Sequence, residues 1–135
     1  MQRRSVIVSA KRTPIGAFQG HLSSFSASDL ASVCIKGILG HTNIHAESIN
    51  EVILGNVLSA GQGQAPARQA TLKGGCPNSV ESLTINKMCG SGLKAVMLAD
   101  QAIRCGDSEM IISGGMESMS NAPYLLNNAR MGQKL

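Results

Sequence analysis

A short unbroken apolar run, SVIVSA at residues 5–10, opens the pattern of the chain. Continuous runs of that length suit a strand buried on both faces. Further strand-length runs return at residues 51–58, 82–86 and 109–113. Between them the spacing changes. Leu30, Val33, Cys34 and Ile38 fall at helical intervals and predict a helix with one buried stripe. Ser26 and Ser28 are candidate N-caps for that helix, which would start near Asp29 and stop at Gly40. Pro66 suits the first turn of a short helix through Ala67, Ala70 and Leu72, closed by Gly74 and Gly75. Residues 90–104 read as a long helix. Its apolar residues (Leu93, Val96, Met97, Leu98, Ala99, Ala102, Ile103) nearly encircle it, which predicts a central helix buried on all sides.

The predicted order is β-α-β-α-β-α-β. Strands alternating with helices imply an α/β fold with a largely parallel, helix-covered sheet. Residues 11–16 and 59–64, rich in Pro, Gly and Gln, read as loops. From Met116 onward the pattern dissolves, and residues 120–128 carry turn residues without a further regular element.

Composition narrows the classes. A chain of 135 residues suits one domain and can bury a sizeable core. Aromatic residues make up 2% of it and Trp is absent, so aliphatic residues, Met and Gly must build the core. The same scarcity removes the stacking platforms that single-stranded nucleic-acid binders use. The formal charge is +4, but the basic residues are scattered. A solvated surface accounts for them, and attraction of a phosphate-bearing ligand is the sharper reading. The four cysteines form no C-x-x-C pair and match neither a zinc module nor a disulfide framework. No secretory signal or membrane-length apolar run is visible, so a cytoplasmic setting with free thiols is expected.

One cysteine stands apart. Cys89 lies between the predicted third strand and the apolar helix, within NKMCGSGL at residues 86–93. Strand-to-helix junctions of parallel sheets lie at the carboxyl edge, where ligands bind in such folds. A thiol there feels the helix dipole and free N–H groups, both of which favour the nucleophilic thiolate. Gly90 and Gly92 clear space for a substrate carbonyl and expose backbone donors that could hold an oxyanion. The bland alternative is a small buried residue, and it stands for Cys34, Cys76 and Cys105.

Gly90, Gly92 and Ala95 also fit G-x-G-x-x-A, with Glu117 at the distance of a ribose-binding acid. A nucleotide-binding domain is therefore a rival reading. A Cys-x5-Arg phosphatase loop fails, because the sixth residue after Cys89 is Ala95, and no phosphate-binding G-x-x-x-x-G-K-[ST] loop occurs. His21, His41 and His45 read as surface residues, and none is an obvious base for Cys89.

Taken together, VIVSAKRTPIG at 6–16, NEVILGNV at 50–57, PARQA at 66–70, TINKMCGSGLKA at 84–95 and SGGMESMSNAP at 113–123 resemble the thiolases, in family order. The acetyl-CoA acetyltransferase branch looks nearest. The resemblance implies the N-terminal half of a thiolase-like fold over residues 1–118. Residues 119–135 would begin the loop region that binds coenzyme A. It implies that Cys89 takes an acyl group from an acyl-CoA, that a second acyl-CoA or coenzyme A receives it, and that no metal or redox cofactor takes part. Coenzyme A thioesters would be substrates. The family's later Gly-His-Pro and Cys-x-Gly-Gly-Gly segments, which supply the base and the second cysteine, do not occur here. The chain alone is therefore expected to be inactive, and its expected partner is another copy or a complementary thiolase half. In the family that half covers the apolar helix. A non-catalytic fragment or interaction module remains the alternative of a different class.

Overall fold

The computed structural model describes residues 3–132. Its sheet has three parallel strands in the order β2-β1-β3, with β1 at Glu51–Gly55, β2 at Glu81–Ile85 and β3 at Ile111–Gly115. Three helices connect or precede them: α1 at Ala27–Thr42, α2 at Pro66–Lys73 and α3 at Ser91–Cys105. In register, Gly55 lies beside Ile85 on one side and Gly115 on the other. The three strands thus end level.

The period-two alternation of the central strand divides the core. Val52 and Leu54 face α1 and α2, together with Ile35, Ala67, Ala70, Val80 and Ile112. Ile53 faces the other way, onto Ala95 and Ala99 of α3. Burying each such aliphatic side chain contributes about 1.5–3 kcal/mol. Both faces of β1 being covered explains why its sequence is continuously apolar.

Helix ends follow their chemistry. Ser26 caps α1 and forms a capping box with Asp29, and Asn43 closes it in the left-handed conformation (φ 56°). The helix therefore runs past Gly40. Its buried face also differs from the predicted stripe. Ala27, Ser28, Ala31, Ser32 and Ile35 are buried, whereas Val33 is exposed. Small side chains on this face let α1 lie close against α2. At the end of α2, a Cβ on Gly74 would sit 2.6 Å from Ile35 Cγ2.

Two further expectations need correction. Residues 5–10 form no strand; Val6, Ile7 and Val8 are exposed, and no strand of the sheet pairs with them. Strand pattern cannot make a strand without a neighbour to bond. The long helix is not buried all round. Ser91, Ala95 and Ala99 are buried against the sheet, while Leu93, Val96 and Met97 are exposed. Among the described residues nothing lies over that outer face.

Candidate active site at the strand-to-helix elbow

The carboxyl ends of β1 and β3 meet the start of α3 at glycine contacts. A Cβ on Gly55 would fall 2.5 Å from Ser91 Cβ and 2.8 Å from the Gly92 nitrogen. A Cβ on Gly115 would fall 3.3 Å from the Gly92 Cα. No larger residue fits at Gly55 unless the helix moves. Close packing of backbone on backbone therefore fixes where α3 begins, and with it the elbow at residues 86–90.

Within the elbow, nearly every donor is spoken for. The Met88 N–H donates to Asn86 Oδ1 at 2.9 Å, and the Lys87 N–H donates to Ser91 Oγ at 2.8 Å. The Ser91 hydroxyl in turn donates to the Met88 carbonyl at 2.5 Å. Gly90 and Ser91 N–H groups bond the carbonyls of Lys87 and Met88 at 3.1 and 3.0 Å. Met88 is held at φ +48°, uncommon for a residue with a side chain. Among the described residues the Cys89 and Gly92 N–H groups have no partner. The Cys89 thiol is free and exposed, and the Gly90 N-cap supplies no side-chain hydrogen bond to the helix. An exposed thiol, its own unoccupied N–H and an uncapped helix start thus share one corner.

The neighbouring loops are tied to this corner. Glu117, just past β3, accepts from Asn56 Nδ2 at 2.7 Å and from the Val57 and Leu58 N–H groups at 2.9 and 3.1 Å. Asn56 is buried, and its Oδ1 accepts from Gln62 Nε2 at 3.2 Å. Asn86 Nδ2 reaches the Val57 carbonyl at 3.4 Å. The strand at 51–58 consequently stops at Gly55, because Val57 and Leu58 give their N–H groups to Glu117 instead of a ladder. These bonds also bear on nucleotide binding. The Glu117 carboxylate is committed to main chain, and Gly92 packs on Gly114 and Gly115, where a pyrophosphate would need open space.

The other cysteines stay apart from this site. Cys76 is buried, and its thiol is pushed up by burial and by the Glu47 charge. Cys34 is half-buried on α1, and Cys105 is exposed at the far end of α3. His21, His41 and His45 are exposed. An open cleft of about 400 Å³ lies elsewhere, between the start of α1 and the end of α2. There Lys73 pairs with Asp29 at 2.7 Å, holding that carboxyl at about 2. Among the described residues no group of three His, Cys, Asp or Glu side chains is placed to share a metal ion, and no helix is long and apolar enough to cross a membrane.

Residues 5–135 match the family model described as thiolase, N-terminal domain. The chain belongs to the thiolase family. It is 55% identical over 135 residues to an acetyl-CoA acetyltransferase of Allochromatium vinosum, covering 100% of this chain and 34% of that protein. It is 54% identical over 130 residues to an Escherichia coli protein named "Probable acetyl-CoA acetyltransferase", covering 96% of this chain and 33% of that one. A Thiocystis violacea acetyl-CoA acetyltransferase is 53% identical over 130 residues, with 96% and 33% covered. This thiolase chain spans about a third of the length of these relatives. The parallel sheet and its helices agree with the α/β fold expected of the thiolase N-terminal domain.

Sequence reasoning singled out Cys89, Gly90 and Gly92 and missed Asn56, Asn86, Ser91 and Gly55. A signal was present for the asparagines: each directly follows a strand, at the edge where the site lies.

Proposed function

We propose that this chain carries the nucleophile of an acyl-CoA acyltransferase that moves acetyl groups between coenzyme A thioesters. The observation that carries the proposal is the pairing of an exposed Cys89 thiol with its own free N–H at an elbow whose other donors are occupied. The Cys89 thiolate adds to the thioester carbonyl, forming a carbon–sulfur bond, and the carbonyl electrons move onto oxygen. The Cys89 N–H donates to that oxyanion. Collapse breaks the bond to coenzyme A, which leaves as a thiolate and takes up a proton. A base removes an α-proton from a second acetyl-CoA, the resulting carbanion attacks the acyl carbon, and the bond to the Cys89 sulfur breaks to give acetoacetyl-CoA and the Cys89 thiolate; in the reverse direction the coenzyme A thiolate takes the acyl group instead.

The base and the second cysteine of this reaction come from outside residues 1–135, from a complementary thiolase segment or a further copy, and the isolated chain is inactive. Residues 119–135 begin the region that contacts coenzyme A, in a cytoplasmic enzyme that needs no metal or redox cofactor. The exposed outer face of α3 and the exposed residues 6–8 favour a second role for the chain alone, as one part of a split assembly.

Peptide mapping after incubation with acetyl-CoA tests this. The chain is assayed alone and mixed with the remaining two-thirds of the Allochromatium vinosum relative. The expected result is one acetyl adduct, on Cys89, in the mixture, and none with Cys89→Ala. Adducts spread over several cysteines and lysines, or none in the mixture, overturn the acyl-enzyme reading. Binding of the two pieces without an adduct leaves the split-assembly role in its place.

A further inference from the structure

Resting on that reading of Cys89, we infer that the side chains of Ser91 and Asn86 are positioning residues that keep the nucleophile's own N–H available and its thiol at the start of α3. Neither needs to touch an acyl group. Ser91 is buried at the first turn of α3 and lies against Gly55 of the central strand. Its hydroxyl works in both directions, accepting the Lys87 N–H at 2.8 Å and donating to the Met88 carbonyl at 2.5 Å. Asn86 accepts the Met88 N–H at 2.9 Å and is itself tied to the Val57 carbonyl at 3.4 Å.

These two side chains therefore satisfy the two elbow N–H groups just before Cys89, those of Lys87 and Met88, while backbone carbonyls take the two just after it. They also hold Met88 in its left-handed conformation, φ +48°, which a residue with a Cβ leaves readily when unsupported. Without the Ser91 hydroxyl, the Lys87 N–H loses its acceptor and the Met88 carbonyl loses a donor. Met88 would relax toward negative φ. The Cys89 peptide would turn with it, and its N–H would be taken up inside the loop. A backbone amide is a good oxyanion donor only while nothing else accepts from it. The sequence shows this serine only as the x of a glycine pattern. Its work is visible because two bonds converge on one buried oxygen.

The chain contains its own controls. Cys105 is exposed at the opposite end of the same helix, and Cys76 is buried in the core. Iodoacetamide labelling of the full chain, read by peptide mass, gives the Cys89 rate relative to Cys105, while labelling of Cys76 reports unfolding. The wild-type chain should label Cys89 faster than Cys105. In Ser91→Ala the Cys89:Cys105 ratio should fall on the order of tenfold, as expected for losing two hydrogen bonds, with Cys76 still protected. Ser91→Thr, which keeps the hydroxyl, should recover most of the ratio. Asn86→Ala should lower it severalfold. A protected Cys76 with an unchanged ratio in Ser91→Ala overturns the role of Ser91. If Ser91→Ala unfolds and exposes Cys76, Asn86→Ala decides, and an unchanged ratio there overturns the inference. Equal rates at Cys89 and Cys105 in the wild-type chain would instead sink the nucleophile reading beneath it.

Discussion

Two aliphatic triplets in this chain, Val6-Ile7-Val8 and Val52-Ile53-Leu54, are nearly interchangeable as sequence and opposite as structure. The first is 78%, 82% and 68% exposed; the second is 0%, 2% and 5% exposed. Both have the composition of a strand buried on two faces. The difference is neighbours. Residues 51–55 have β2 on one side, β3 on the other, α1 and α2 above and α3 below. Residues 5–10 are held to the fold by side chains, as where the Ser5 hydroxyl donates to Asp100 Oδ1 at 2.5 Å, and no ladder reaches them. Apolar pattern states what a segment can do. Main-chain partners decide whether it does.

The contrast can be broken most severely at Gly55. Gly55→Val places methyl groups where Ser91 and Gly92 already sit, so the chain should lose about 3 kcal/mol and the elbow should shift. Denaturant unfolding measures the first, and the Cys89:Cys105 labelling ratio measures the second. A variant with wild-type stability would mean that α3 does not rest on β1 as described.

A matched pair of truncations sharpens it. Val52→Ala should cost about 2 kcal/mol, because the side chain is fully buried on the central strand. Val8→Ala should change stability by less than about 0.5 kcal/mol. Equal effects at the two positions would show that residues 5–10 are packed in solution after all.

A carboxylate on the central strand and one on α1 give smaller effects of opposite sign. Burial, and then repulsion from Glu81 directly across the ladder, raise the Glu51 carboxyl above its ordinary value. The folded chain thus holds that proton more tightly than the unfolded one, and stability falls as pH rises past the ordinary carboxylate range. Glu51→Gln should raise the urea midpoint at pH 7 and leave it nearly unchanged at acid pH. The pair on the α1–α2 side behaves in reverse. The Lys73 ammonium beside Asp29, together with Ser26, lowers that carboxyl from 3.8 to about 2. Its contribution is complete above pH 4 and is lost as pH falls through 2. Asp29→Asn should flatten the acid limb between pH 4 and 2. The effect should be the smallest of the set and should shrink in salt, because both side chains are substantially exposed.

Much of this was legible in the sequence for reasons of local chemistry. Three of the four strand runs pair where their pattern stands, allowing for shorter ends at Gly55 and a later start at Ile111. Pro66 opens α2, Ser26 caps α1, and the cysteine at the junction of a strand and a helix is exposed. The misses share a cause. Periodicity favours large apolar residues, so it chose Leu30, Val33, Cys34 and Ile38 for the buried face of α1 and passed over Ala27, Ser28, Ala31 and Ser32. Helix–helix distance is set by small residues, and they carry little hydrophobic signal.

What the sequence determined alone was therefore the order of elements from α1 onward, the residues that open α1 and α2, and a cysteine between a strand and a helix, since each depends on residues close together in the chain. Only the tertiary structure decided which aliphatic run became a strand, which face of each helix was buried, and which N–H at the elbow was left open. Those outcomes depend on atoms brought together from distant positions: Gly55 against Ser91, Glu117 against Val57 and Leu58, Asn86 between Val57 and Met88. Hydrogen bonds and close contacts act over a few ångströms in space, and spacing along the chain records them only where neighbours in sequence are also neighbours in the fold.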